Sequence, residues 1–243
     1  VHGFRTTTRR LQTLVEELLP ERSRNQKKLL KMLNRIRRRA GKVRDVDAQL
    51  AALRSLKTSQ EPRRKTQLTH GLIELRTKHE KRLSKLLKKD VIRDIRKRLQ
   101  RGAGELMLDS IRDPLAAARR MTEAGTVAGG ASDEDIVHGY RLAVKRARYA
   151  AEFAVPSSES TALIVQLKKI QDTLGHWNDW NLLTHTAAGR FGEVNQSSLV
   201  AALQNVTRGK FRQAIAVLPK AQHANPTRVG SAGLTQAALP LVA

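Results

Sequence analysis

The chain contains no cysteine. Disulfides, thiol catalysis and Cys-ligated zinc are therefore excluded, and the absence fits a cytoplasmic protein. Aromatic residues are few, with four Phe, two Trp and two Tyr in 243 residues. Proteins that grip single-stranded nucleic acid commonly stack bases on aromatic side chains, so this scarcity weighs against that class. It leaves contact with the backbone of a duplex open. No stretch is long and apolar enough to span a bilayer, and no secretory signal is visible. Zinc-finger spacing, a Walker loop, a His-Asp dipeptide and an acidic metal cluster are all missing from the sequence. Metal-assisted phosphate hydrolysis generally needs such groups, so the expectation is a non-enzymatic protein with no cofactor and no catalytic or metal site.

Acidic residues are also in short supply, 22 against 46 Lys and Arg, for a net charge of +24. Such a surplus repels itself in the compact state unless an anionic partner offsets it. Nucleic acid, a membrane surface and a free polyphosphate-like polymer all qualify. The surplus is uneven: residues 1–101 carry 31 basic and 10 acidic side chains, residues 102–243 only 15 and 12. Attraction for an anion is thus expected mainly in the first half, with an anchor in the second.

Apolar residues recur at three- and four-residue spacing almost throughout, and no run alternates as a half-buried strand would. The spacing predicts helices near 1–19, 23–40, 43–57, 62–88, 90–101, 104–123, 133–154, 158–174, 177–190 and 196–217. Pro20, Gly41, Pro156 and Pro219 punctuate them, and Pro62 sits where a first-turn proline is tolerated. Residues 125–130 (GTVAGG) read as a joint, and Ser132 as the cap of the following helix. Asp133, Glu134 and Asp135 read as the acidic start of that helix, where its dipole favours them. The chain opens on Val1 already in a helical pattern, so a truncated first helix, with sequence missing upstream, is expected. Residues 221–243 lack a helical face and read as a loosely ordered tail of no assigned function.

Two segments of the chain match each other. His2-Gly3-Phe4-Arg5, continuing to Arg9-Arg10-Leu11, is echoed 136 positions later by His138-Gly139-Tyr140-Arg141, continuing to Lys145-Arg146-Ala147-Arg148-Tyr149. Gly41-Lys42-Val43-Arg44-Asp45 is echoed 134 positions later by Gly175-His176-Trp177-Asn178-Asp179. A unit of this length is too long for a solenoid repeat and fits two similar helical bundles about a pseudo-two-fold axis. The division expected is residues 1–124, a linker at 125–132, and residues 133–220.

At 100° per residue, His2, Arg5 and Arg9 share one stripe, while Phe4, Leu11, Leu14, Val15 and Leu18 lie opposite. His138, Arg141, Lys145, Arg148 and Tyr149 form the second stripe, with Leu142 and Phe153 blurring its polar side. Cations one turn apart on a rigid helix can meet successive charges of a phosphate polymer. Arg pairs with phosphate oxygens through its planar fork, Lys adds an adaptable point charge, and His donates hydrogen bonds and can gain a proton as an anion arrives. Asp45 and Asp179 are expected to be structural, each capping a helix or tying down a basic neighbour, Arg44 in the first copy.

On these residues, the sequence resembles the CHAD domain (conserved histidine α-helical domain) family, over about residues 1–217. The matching text is His2 to Leu11, Gly41 to Asp47, His138 to Tyr149 and Leu167 to Asp179. The resemblance implies two four-helix bundles, a basic central surface that binds inorganic polyphosphate, and association with polyphosphate granules. Carried over, the anion contacts are His2, Arg5, Arg9 and Arg10 in the first copy, and His138, Arg141, Lys145, Arg146 and Arg148 in the second. Supporting contacts fall at Lys27, Lys31, Arg35, Arg38, Lys42, Lys168 and Lys169. Asn178 stands where the first copy has Arg44, so the copies need not bind equally. The competing reading is a basic helical protein that binds nucleic acid. Less favoured are a phosphohydrolase or its accessory domain, and adsorption to anionic lipid.

Overall fold

A computed structural model describes residues 2–106, 111–124 and 134–218, with the backbone alone at residue 2. The expected linker at 125–132, Ser132, Asp133, Pro219 and the tail at 221–243 lie outside the described residues. Within them the protein is entirely helical and has no strand. The elements are α1 (His2–Thr13), prolonged by a π turn at Leu14–Leu18, α2 (Arg24–Ser55), α3 (Pro62–Ser84), α4 (Lys89–Gly104), α5 (Pro114–Ala124), α6 (Glu134–Ala151), α7 (Ser158–Phe191) and α8 (Ser198–Ala216).

Local chemistry sets most of the ends. α2 starts with a reciprocal capping box: Gln26 N donates to Ser23 Oγ at 3.2 Å and Ser23 N donates to Gln26 Oε1 at 3.0 Å. Ser157 and Ser160 open α7 in the same way, and Gly192 closes it at a φ of +84° that few other residues accept. Pro62 occupies the first turn of α3. Glu61, just before it, is left-handed at φ +47°. Its carboxylate crosses to the start of α8, accepting from Ser197 Oγ at 2.7 Å and Leu199 N at 2.8 Å. Those two bonds, the hydroxyl's first, hold the Glu61 carboxyl below its ordinary pKa.

Three sequence expectations need correction. Gly41 and Gly175 do not break their helices, for α2 runs 32 residues and α7 runs 34. Glycine costs a helix interior only about 1 kcal/mol relative to alanine, and buried residues flank each site: Ile36, Ala40, Val43 and Val46 in α2, Leu174 and Trp177 in α7. The helix expected at 104–123 begins only at Pro114, where Asp113 Oδ1 accepts from Leu115 N at 2.9 Å. Phe4, expected on the apolar face of α1, is exposed.

The apolar clusters position the site. One gathers Leu18, Ala117, Val137, Tyr140, Val144, Ala147, Leu174, Trp177 and Ala214, so α6 is clasped between α5 and α7. A second joins Leu50, Leu53, Leu68 and Leu72 of α2 and α3 to Leu183, Leu199 and Leu203 of α7 and α8. Two smaller clusters seat α3 and α4 on the middle of α2, and the π turn on its start. Both long helices therefore serve more than one cluster, and they touch each other.

Candidate anion-binding site

α1 packs against α2 and α6, α6 against α7, and α2 against α7. At this meeting of four helices, Arg5 and Arg9 of α1, Arg44 and Asp45 of α2, Arg141 and Lys145 of α6, and Asp179 of α7 act on one another electrostatically. Five cations face two carboxylates. Most of the members are related by the internal repeat: Arg5 matches Arg141, Arg9 matches Lys145, and Asp45 matches Asp179.

Charges of one sign, partly withdrawn from water, shift toward their neutral forms. Burial, then Arg9 and Arg44, lower the pKa of Arg5 against the opposing pull of Asp45. Arg141 is lowered by burial, Arg9 and Arg44, against Asp179 and Asp45. Lys145 falls to about 7, first through burial and then through Arg141, Arg9 and Arg5, with Asp179 opposing. Asp45 moves upward because burial and Asp179 together outweigh Arg5, Arg44 and Arg141. The Nε atoms of Arg5 and of Arg141 are both buried without a hydrogen-bond partner. Buried donors are ordinarily satisfied, so the same orphan at two repeat-related positions marks an unmet demand for an acceptor.

The aspartates are not caps. Each lies mid-helix, and Arg44 Nη2 pairs at 3.3 Å with Asp179 Oδ2 of the other copy rather than with its own neighbour Asp45. Arg44 thus ties the long helices together where they cross. Beside it opens a cleft of about 690 Å³, with Ala48, His176, Trp180 and Lys210 among its lining.

The remaining sequence-predicted positions are placed in different ways. His138, one turn before Arg141, is exposed, whereas the side chain of His2 lies outside the described residues. Arg10 Nε reaches Glu152 Oε2 at 2.6 Å, and Arg146 Nη1 lies 3.5 Å from Glu17 Oε1. Arg148 is occupied by Glu152, by Gln171 Oε1 at 3.0 Å and by the ring of its neighbour Tyr149 at 4.4 Å. Lys27, Lys31, Arg35, Arg38 and Lys42 are exposed along α2, as are Lys168 and Lys169 on α7. Lys42 also bears on His79 of α3, whose pKa is lowered by burial, Lys42, Arg82, Lys78 and Arg39.

Two cations of this neighbourhood are absent from the sequence-predicted contacts. Arg44 reads from the sequence as a local tie of Asp45 and as a difference between the copies, not as an anion contact. Arg37, half-buried, is lowered in pKa by burial and by Arg9, and holds Asn34 Oδ1 at 3.1 Å. The place of Arg44 one turn beyond Gly41, within the repeated Gly41–Asp45 segment, was the available signal. Nothing in the spacing distinguished Arg37 from Arg35 or Arg38.

Among the described residues no group of three or more His, Asp or Glu side chains gathers as a metal site, and no helix is long and apolar enough to cross a membrane. No curated protein and no solved structure matches the chain. The family model that does match is the CHAD domain, over residues 1–188, a span containing every member of the charge cluster, and the chain belongs to that family.

Proposed function

We propose that this protein is a non-catalytic module that binds inorganic polyphosphate at the cluster where α1, α2, α6 and α7 meet. The carrying observation is the pair of repeat-related guanidinium groups, Arg5 and Arg141, whose buried Nε atoms have no acceptor. A phosphate oxygen supplies that acceptor, and a charge-assisted bond of this kind contributes about 1.5–3 kcal/mol. Membership of a family associated with polyphosphate binding supports the same reading. Arg5, Arg9, Arg141, Lys145 and Arg44 form the inner contacts. Arg10, His138 and Arg146 flank them, the family resemblance adds His2 as a contact, and Arg148 orients Tyr149 and Glu152 beside Arg10.

The polymer continues over the exposed cations of α2, namely Lys27, Lys31, Arg35, Arg38 and Lys42, with Lys168 and Lys169 receiving it on α7. The two helical units divide at 125–132 about a pseudo-two-fold axis through the cluster. The equal spacing of Arg5 to Arg141 and Arg9 to Lys145, and the near-equal spacing of Asp45 to Asp179, support that symmetry. The protein works in the cytoplasm, at polyphosphate granules.

Thermal unfolding at matched ionic strength tests the binding. Long-chain polyphosphate is expected to raise Tm, as does any ligand held only by the folded state. Displacement of polyphosphate by duplex DNA or RNA at equal phosphate concentration favours the nucleic-acid reading instead. An unchanged Tm removes the polyphosphate assignment.

A further inference from the structure

A second cleft opens between α7 and α8, with Glu134, the first residue of α6, also lining it. It encloses about 550 Å³, within the ~300–1,000 Å³ that small-molecule sites commonly occupy. Its α7 residues, Asn181, Thr184 and His185, stand about 140–240° round the helix from Asp179, so they face away from the charge cluster. None of the cations assigned above to polyphosphate lines it. Its α8 side, from Gln204 to Arg212, lies beyond the residues that the family model matches. One contact fixes the register of the antiparallel pair: Thr184 Oγ1 and Thr207 Oγ1 meet at 2.8 Å. His185, Gln204 and Arg208 therefore share one end of the cleft. Asn181 and Phe211 lie about one turn away, ~5.4 Å along the axis.

The two ends differ in chemistry. Arg208, Arg212 and His185 are exposed, and among the described residues none of them makes a hydrogen bond or ion pair. Long side chains on a helix lean toward its N-terminal end, which carries the Arg212 fork toward Arg208. At the other end Asn181 Nδ2 donates to Glu134 Oε2 at 2.9 Å. That bond leaves Asn181 Oδ1 and Glu134 Oε1 as acceptors in need of donors. Phe211 adds an aromatic wall, braced from behind by Trp177 at 5.5 Å between ring centroids.

The geometry points to this cleft as a site for a mononucleotide whose base carries an exocyclic amino group. Its phosphate meets Arg208 and Arg212 as bidentate partners, and His185 can take up a proton as the anion arrives. The base stacks on Phe211, as bases do on aromatic side chains. The amino group donates to the free oxygens of Glu134 and Asn181. Inorganic phosphate would leave the aromatic wall and both acceptors unused, and a polyphosphate running the length of the cleft would set its charge against Glu134. A base with a carbonyl in place of the amine would oppose acceptor to acceptor, a mismatch that polar sites reject strongly. The site is separate from the charge cluster and does not depend on the polyphosphate reading.

The whole chain is titrated calorimetrically, at fixed ionic strength, with AMP, adenosine, ribose 5-phosphate and IMP. AMP is expected to fill one site. Adenosine, which lacks the phosphate, ribose 5-phosphate, which lacks the base, and IMP, which has a carbonyl for the amine, should each bind about tenfold more weakly or worse. Arg208 and Glu134 are exposed, so substitutions there should leave the fold intact. Arg208→Gln should weaken AMP by about tenfold and adenosine hardly at all. Glu134→Gln should narrow the gap between AMP and IMP, because the new amide can donate to a carbonyl. No binding of AMP at millimolar concentration overturns the inference. So does equal binding of AMP and adenosine or of AMP and IMP, or an AMP affinity that neither substitution changes. Long-chain polyphosphate titrated into the same samples keeps the two readings distinct. Polyphosphate binding without AMP binding removes the nucleotide site alone, and AMP binding without polyphosphate binding removes the polymer assignment alone.

Discussion

The two copies of the His-Gly-aromatic-Arg segment bring matching cations to one place but are seated very differently. In α6 the aromatic, Tyr140, is 3% exposed and lies in a cluster with Val137, Val144 and Ala147. Its counterpart in α1, Phe4, is 41% exposed. α6 is clasped by α5 and α7, whereas α1 rests on α2 and α6. Even so, Arg5 and Arg141 share the same burial-driven shift and the same orphaned Nε. The charged face of the repeat is therefore held alike in both copies, and the apolar face is not.

Stability gives the largest expected break between the copies. Tyr140→Ala should cost about 3–5 kcal/mol, as truncation of a buried aromatic does, while Phe4→Ala should stay within about 0.5 kcal/mol. Denaturant titration of the two variants checks this, and equal losses would erase the distinction. Binding should show the reverse pattern. Arg5→Ala and Arg141→Ala should each weaken polyphosphate binding by about 10- to 100-fold, the loss of one charge-assisted bond. Isothermal titration should place them within a few-fold of each other, and a loss confined to one copy would show that only that copy binds.

The smallest effect concerns pH and belongs to the second copy alone. Lys145 is held at about 7 in the folded protein against an ordinary 10.5. The unfolded chain then binds more protons between those values, so this group's contribution makes stability rise with pH across that window. A bound polyanion favours the ammonium, so binding takes up a proton, and affinity should fall as pH rises through about 7. The fall should be about two- to fivefold, the worth of a single partly screened charge contact. Lys145→Arg should flatten it. Titrations in buffers of different ionisation enthalpy measure the proton directly.

Much of this arrangement is legible from spacing. The wheel that aligned His2, Arg5 and Arg9, and separately His138, Arg141 and Lys145, needs only helical periodicity. The all-helical class follows from the same pattern. Other features depend on contacts that a local pattern does not encode. Gly41 and Gly175 read as breaks because glycine is a poor helix former, but packing on both sides of each outweighs that small penalty. Asp179 and Arg44 are 135 positions apart, and their pairing exists only because α2 and α7 cross. Arg148 carries the same sequence signature as Arg146, yet Gln171, Glu152 and Tyr149 engage its guanidinium. Leu142 and Phe153, which blurred the polar side of α6, are exposed rather than buried.

The unbroken passage of α2 and α7 through several apolar clusters has a consequence for how the chain tolerates being cut. Leu50, Leu53, Leu68 and Leu72, all before residue 124, find their apolar neighbours in Leu183, Leu199 and Leu203, all after it. A fragment ending at residue 124 would present those leucines to water, and a fragment beginning at residue 134 would lack the surface that covers its own. The residues before 124 and those after 134 complete one another's apolar surface, and neither set is a spare.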